Sequence, residues 1–204
     1  MEPIALLEVA GSVLSGVFAL VIGYRSVTAY RFTERPHLLN FAAGFVVLAA
    51  SFFGLAVTLS VLPMSHLGEP VRATLEMFGL GLVATSYLAK ERPYSRVLLG
   101  ALLAAAAVGA LSTYLFVPFS NNFYVGSVRL VEMALALFVS LRVVQSYTER
   151  LAPGGVYVIG GFGLLALAQY TWVIWAYVSD QGIAEVATFV RLLALIALVY
   201  GLEK

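Results

Sequence analysis

The chain has 204 residues, 61% hydrophobic against 11% charged, with a mean hydropathy of +0.95. Soluble domains run near about 45–50% apolar and 25% charged, so a water-soluble fold is excluded. Twelve Lys and Arg against eleven Asp and Glu offer no basic stripe for nucleic acid, and zero Cys removes disulfides, thiolate metal sites and iron–sulfur clusters together.

Long apolar runs predict seven helical segments in one membrane domain over residues 1–204. The first, at about 4–24, follows Met1-Glu2-Pro3, which lacks a basic n-region. No small-residue cleavage pattern precedes Gly11, so this run is expected to stay as a helix. The second covers about 38–62 after Pro36, and the third about 71–89 after Pro70. The fourth, 97–117, is unbroken and Ala-rich, which rules out a transmembrane strand of alternating polarity. The remaining three are placed at about 123–146, 155–178 and 183–202. Pro36, Pro63, Pro93, Pro118 and Pro153 fall between segments, where a missing N–H suits a turn. The predicted fold is all-α and polytopic, with seven transmembrane helices in the cell membrane.

Lys and Arg set the expected orientation. Arg25, Arg31, Arg35, Lys90, Arg92, Arg96, Arg142, Arg150 and Lys204, nine of the twelve, gather at the ends reached after the odd segments. That side is predicted to be cytoplasmic, with the N-terminus outside and the C-terminus inside. Ten of the twelve basic residues are Arg, with three Asn and three Gln in all, a composition compatible with a thermophile.

A phrase recurs at the same ends: 30-YRFTERP-36, 87-YLAKERP-93, 147-YTERLAP-153 and 200-YGLEK-204. Glu34, Glu91, Glu149 and Glu203 lie 57, 58 and 54 residues apart, which is the length of a helical hairpin. The outer starts repeat too, as Val71-Arg72, Val128-Arg129 and Val190-Arg191. The pattern reads as three tandem hairpins, about 1–62, 69–117 and 123–178, with a closing helix at 183–202. Copies of two crossings share one orientation, unlike the inverted repeats of many transporters.

Charges inside the outer halves of the segments are the most informative residues. Glu76, Arg129, Glu132 and Arg191 fall roughly 8–14 Å into their helices at 1.5 Å per residue. A charge at the bilayer centre costs roughly 2.5–3.5 kcal/mol on insertion scales, so these side chains are expected to face the bundle interior and find partners. Arg72–Glu76 and Arg129–Glu132 could close within their own helices, but a network across helices around a common axis is the stronger expectation. Glu8 is shallower, and Glu69, Arg72, Asp180 and Glu185 can reach the interface by snorkelling. Gln169, Trp172 and Trp175 share a face of the sixth segment at three-residue spacing. An interfacial aromatic belt explains most of that stretch, while a face presenting two rings and an amide to a cavity is the alternative. His37 and His66 stand at opposite ends of the second segment, roughly 38 Å apart, and cannot share one haem iron.

Seven helices with an outside N-terminus and short loops resemble the layout of microbial rhodopsins. Retinal needs a Schiff-base lysine in the last helix, however, and the only lysines are Lys90 and Lys204, so a retinal pigment is excluded. Neither a nucleophile–base pair, a metal motif nor a phosphate loop is recognisable, and no cofactor is expected. The expectation is a non-enzymatic binding or sensing module with an outward-facing polar pocket, acting through a separate cytoplasmic or membrane partner. The alternatives are a small channel or transporter, with Glu76, Glu132 and Arg191 on its path, and an accessory subunit of a larger membrane assembly. Candidate site residues are Glu76, Arg129, Glu132, Arg191, Gln169, Trp172 and Trp175.

Overall fold

A computed structural model describes residues 3–61, 68–88, 121–150 and 154–203. Among these the protein is entirely helical: α1 (Pro3–Thr33), α2 (His37–Val61), α3 (Gly68–Leu88), α4 (Asn121–Arg150), α5 (Gly155–Val178) and α6 (Gln181–Gly201). The sequence predicts seven helices and the described residues contain six. The expected fourth segment, 97–117, lies outside them, as do Lys90, Glu91, Arg92, Arg96, His66 and the prolines at 63, 93, 118 and 153.

Among the described residues, four helices are long and apolar enough to cross a membrane, over Glu8–Thr33, His37–Val57, Gly155–Val178 and Gln181–Gly201. Helices α3 and α4 have the length, but they carry Arg72, Glu76, Arg129 and Glu132. Observed boundaries differ from the predicted ones chiefly at α1, which runs 31 residues rather than ending near residue 24. At 1.5 Å per residue that is about 46 Å, longer than a hydrocarbon core of about 30 Å. Hydropathy sees only the apolar part, while the helix continues through Tyr24, Arg25 and Tyr30, where charged side chains no longer oppose it. It stops at Glu34, which is in the left-handed region (φ 53°) and whose N–H donates to the Tyr30 carbonyl at 2.7 Å. The α5–α6 turn is tighter. Ser179 caps α5 in the left-handed conformation (φ 56°), and the Asp180 carboxylate accepts from the Gly182 N–H at 2.7 Å to start α6.

Each helix packs against the next in chain order, and α6 returns to α1, so the described helices close a ring. Small residues let the helix backbones approach closely. Where α2 meets α3 the backbones nearly touch: a Cβ placed on Gly44 would stand 2.6 Å from the Gly79 carbonyl oxygen. Gly161 meets Leu198 and Ala194 of α6 in the same way, whereas Gly160 and Gly163 face open space.

Helices α3 and α4 run parallel. Thr74 bonds Tyr124 at 2.7 Å near their starts, and Tyr87 and Ser146 line one cavity near their ends. The interior of the described helices divides into two zones. One holds the apolar core, with Ile22, Phe41, Phe45, Leu48, Val83, Val139, Phe162 and Leu198 fully or nearly buried. In the other zone the buried charges collect.

Candidate functional site

The sequence places Arg72, Arg129 and Arg191 at the same point of the Val-Arg phrase on α3, α4 and α6, and the ring brings all three guanidinium groups to one level. Glu76 is their centre. Its Oε1 accepts from Arg72 Nε at 2.7 Å, its Oε2 pairs with Arg129 Nη1, and Arg191 Nη1 lies 3.9 Å from Oε1. Arg129 also reaches Glu132 at 2.8 Å on its own helix and Glu69 at 2.8 Å across to α3. Arg72 closes the loop by donating to Glu69 at 3.0 Å. Three guanidinium groups thus face three carboxylates and their formal charges cancel, the condition under which ionised side chains can be held away from water. Glu8 of α1 lies at the margin, within electrostatic reach of Arg72 and Arg191.

Uncharged groups complete the shell. Ser51 of α2 donates to Glu76 Oε1 at 3.3 Å. Gln169 of α5 accepts from Arg129 at 3.3 Å and turns its amide nitrogen toward Glu76 at 3.5 Å. The Trp172 ring lies under two cations, 4.5 Å from the Arg72 guanidinium carbon and 5.5 Å from that of Arg129. Trp175 packs edge-on against Trp172 with ring centroids 5.1 Å apart. Phe52 of α2 does for Arg191 what Trp172 does for Arg72, at 4.6 Å. Such contacts are strongest where water is excluded.

The predicted site residues Glu76, Arg129, Glu132, Gln169 and Trp172 therefore share one cluster, with Trp175 behind it and Arg191 at its edge. Two expectations need correction. Trp172 is fully buried, stacked against the Arg72 and Arg129 guanidinium groups rather than exposed as a belt residue would be. Arg72 does not snorkel to the interface either: it is buried beneath Trp172 and held by Glu69 and Glu76, because two carboxylates within reach offset its desolvation. Ser51, Phe52, Glu69 and Arg72 are absent from the sequence-based site, although the Val-Arg repeat did point to Arg72.

Arg191 is unlike its two neighbours. Only 1% of it is exposed, yet Nε, Nη1 and Nη2 have no hydrogen-bond partner among the described residues. Further buried groups without hydrogen-bond partners among the described residues include Thr188 Oγ1 one turn away on α6, Trp172 Nε1 on α5 and Ser12 Oγ on α1. Thr188 also touches the α1 backbone, since a Cβ on Gly11 would come 2.6 Å from its methyl group. All are hydrogen-bond donors, and a buried donor left unmade costs about 1–3 kcal/mol. No group of three or more metal-ligating side chains occurs among the described residues.

No known protein family matches the chain, and neither a curated protein nor a solved structure shows detectable similarity to it.

Proposed function

We propose that the protein is a non-enzymatic membrane module that binds a small polar ligand beside Arg191, within the outer half of a seven-crossing bundle. The observation carrying this reading is the Arg191 guanidinium, fully buried with every nitrogen unbonded while Arg72 and Arg129 beside it are bonded. Donors from Arg191, Thr188, Trp172 and Ser12 call for a ligand rich in acceptors, such as a carboxylate or carbonyl compound. Seven crossings are the reading that fits the parallel course of α3 and α4 together with the long apolar run at 97–117 between them in the sequence. The N-terminus is assigned to the outside by the positive-inside rule, since Arg25, Arg31, Arg35 and Arg142 stand at the end away from the buried charges. A conducting path is the weaker reading, because the apolar zone around Phe45, Leu48, Phe162 and Leu198 continues the interior where a path would need polar groups. Titration of the purified protein with small carboxylates and amides, followed by tryptophan emission, tests the proposal. A saturable change in the native protein, lost in Arg191→Leu, supports it. A panel without effect, together with ion flux in liposomes, would replace it with conduction.

A further inference from the structure

At the end of the bundle away from the buried charges, a cavity of about 630 Å³ opens between the last turns of α1, α3 and α4 and the start of α2. Its size falls within the range of small-molecule sites. Arg25 and Arg35 supply cationic groups, with His37 at the first residue of α2. The Ser86, Tyr87 and Ser146 side chains line the wall, and Phe41 lies among the apolar lining. No carboxylate is among the described lining residues. Glu203 approaches only as the partner of Arg25, at 2.6 Å, in an ion pair whose side chains are 37% and 44% exposed. Exposed pairs contribute little to stability, so an incoming anion can take Arg25 over at small cost.

We propose that this cavity binds a phosphate-bearing anion through Arg25 and Arg35, with the hydroxyls as secondary contacts. Arginine is the side chain suited to phosphate, because its planar fork offers paired N–H groups. A basic opening above an apolar wall fits the headgroup of an anionic lipid as well as a free phosphate, and basic pockets between transmembrane helices hold such headgroups at the cytoplasmic side. This site stands apart from the buried network and does not depend on it.

The test uses the full chain purified in neutral detergent. One arm titrates short-chain phosphatidylglycerol, with phosphatidylcholine as the uncharged comparison, and a second titrates inorganic phosphate with chloride at matched ionic strength. Each is read by native mass spectrometry and thermal stability. Binding of phosphatidylglycerol but not phosphatidylcholine, weakened at least tenfold in Arg25→Gln/Arg35→Gln, supports a lipid headgroup. Binding of inorganic phosphate with the same loss in the double variant supports a soluble phosphate ligand. Ser146→Trp, which fills the cavity from an exposed helix position and leaves both arginines in place, should weaken binding equally, so a folding defect of the double variant cannot decide the outcome. Equal binding in native protein and both variants, or none in either arm, overturns the proposal.

Discussion

Replacing Glu76 by glutamine keeps the shape of the side chain and removes the charge on which the buried arginines converge. Arg72 loses its 2.7 Å partner, Arg129 loses one of three carboxylates, and Arg191 loses the nearest negative charge, 3.9 Å away. Three buried guanidinium groups would then face Glu69 and Glu132 alone. Removing one partner from a buried ion pair costs about 3–5 kcal/mol, because the remaining charge stays desolvated without compensation. For a chain of this size each kcal/mol lowers Tm by about 2–4 °C, so the loss should be roughly 6–20 °C. The exposed Arg25–Glu203 pair is an internal control: Glu203→Gln should cost less than about 1 kcal/mol, or at most about 4 °C. Both variants can be followed by heating the detergent-solubilised protein and measuring the fraction that still elutes as native species. The double variant Glu76→Gln/Arg129→Gln should lose less than the sum of its parts, by about 0.5–3 kcal/mol, because neither charge is then left alone. A Glu76→Gln loss no larger than that of Glu203→Gln, or strict additivity in the double variant, would refute the network reading.

Arg129→Leu should lower Tm far more than Arg191→Leu, because the first breaks bonds to Glu69, Glu76 and Glu132 while the second removes a guanidinium without hydrogen bonds; a thermal scan of both variants ranks them. Gly44→Val should cost about 1–3 kcal/mol by pushing a Cβ to within 2.6 Å of the Gly79 carbonyl, whereas Gly160→Ala, with nothing within 4 Å, should leave stability undiminished in the same assay. The native chain has no cysteine, so single cysteines at Thr33 and Gln181, both exposed, report topology cleanly. Membrane-impermeant maleimide should label Thr33→Cys only from inside and Gln181→Cys only from outside, and the opposite pattern would invert the proposed orientation.

What the sequence discloses is depth along the helix axis. Counting 1.5 Å per residue from the apolar boundary singled out Glu76, Arg129, Glu132 and Arg191 as interior, and a charge in an apolar run cannot be missed. Azimuth is harder to read, because a helix that is apolar all round gives no face to orient by. Ser51 and Phe52 sit in the run 45-FVVLAASFFGLA-56, where one serine and one more phenylalanine carry no signal, yet they touch Glu76 and Arg191. Trp172 was ambiguous for the same reason. Three-residue spacing put it on one face with Gln169 and Trp175, but only the packing of α5 against its neighbours decides whether that face meets lipid or the arginines. Taken singly, Glu69 and Arg72 each lie close enough to the boundary to reach water, whereas their mutual pairing and the link to Arg129 make the buried position the better one.

The two zones of the interior do different work in holding the ring together. Around Phe45, Leu48 and Leu198 the helices meet through shape, with glycine-mediated contact at Gly44–Gly79 and Gly161. Such packing tolerates gradual change in volume. Around Glu76 they meet through charge, and there the tolerance is low, since Glu69 and Glu76 each serve arginines on two or more helices. A stability assay alone would therefore assign every member of the cluster a structural role and hide any binding function. Arg191 is the exception that allows the two to be separated. Its nitrogens take no part in the bonds joining α3 to α4, so its removal leaves those bonds in place while deleting the donor set offered to a ligand. Loss of a ligand response in Arg191→Leu without loss of the Glu76–Arg129 coupling would mark binding as a property distinct from folding, while loss of both together would return Arg191 to the scaffold.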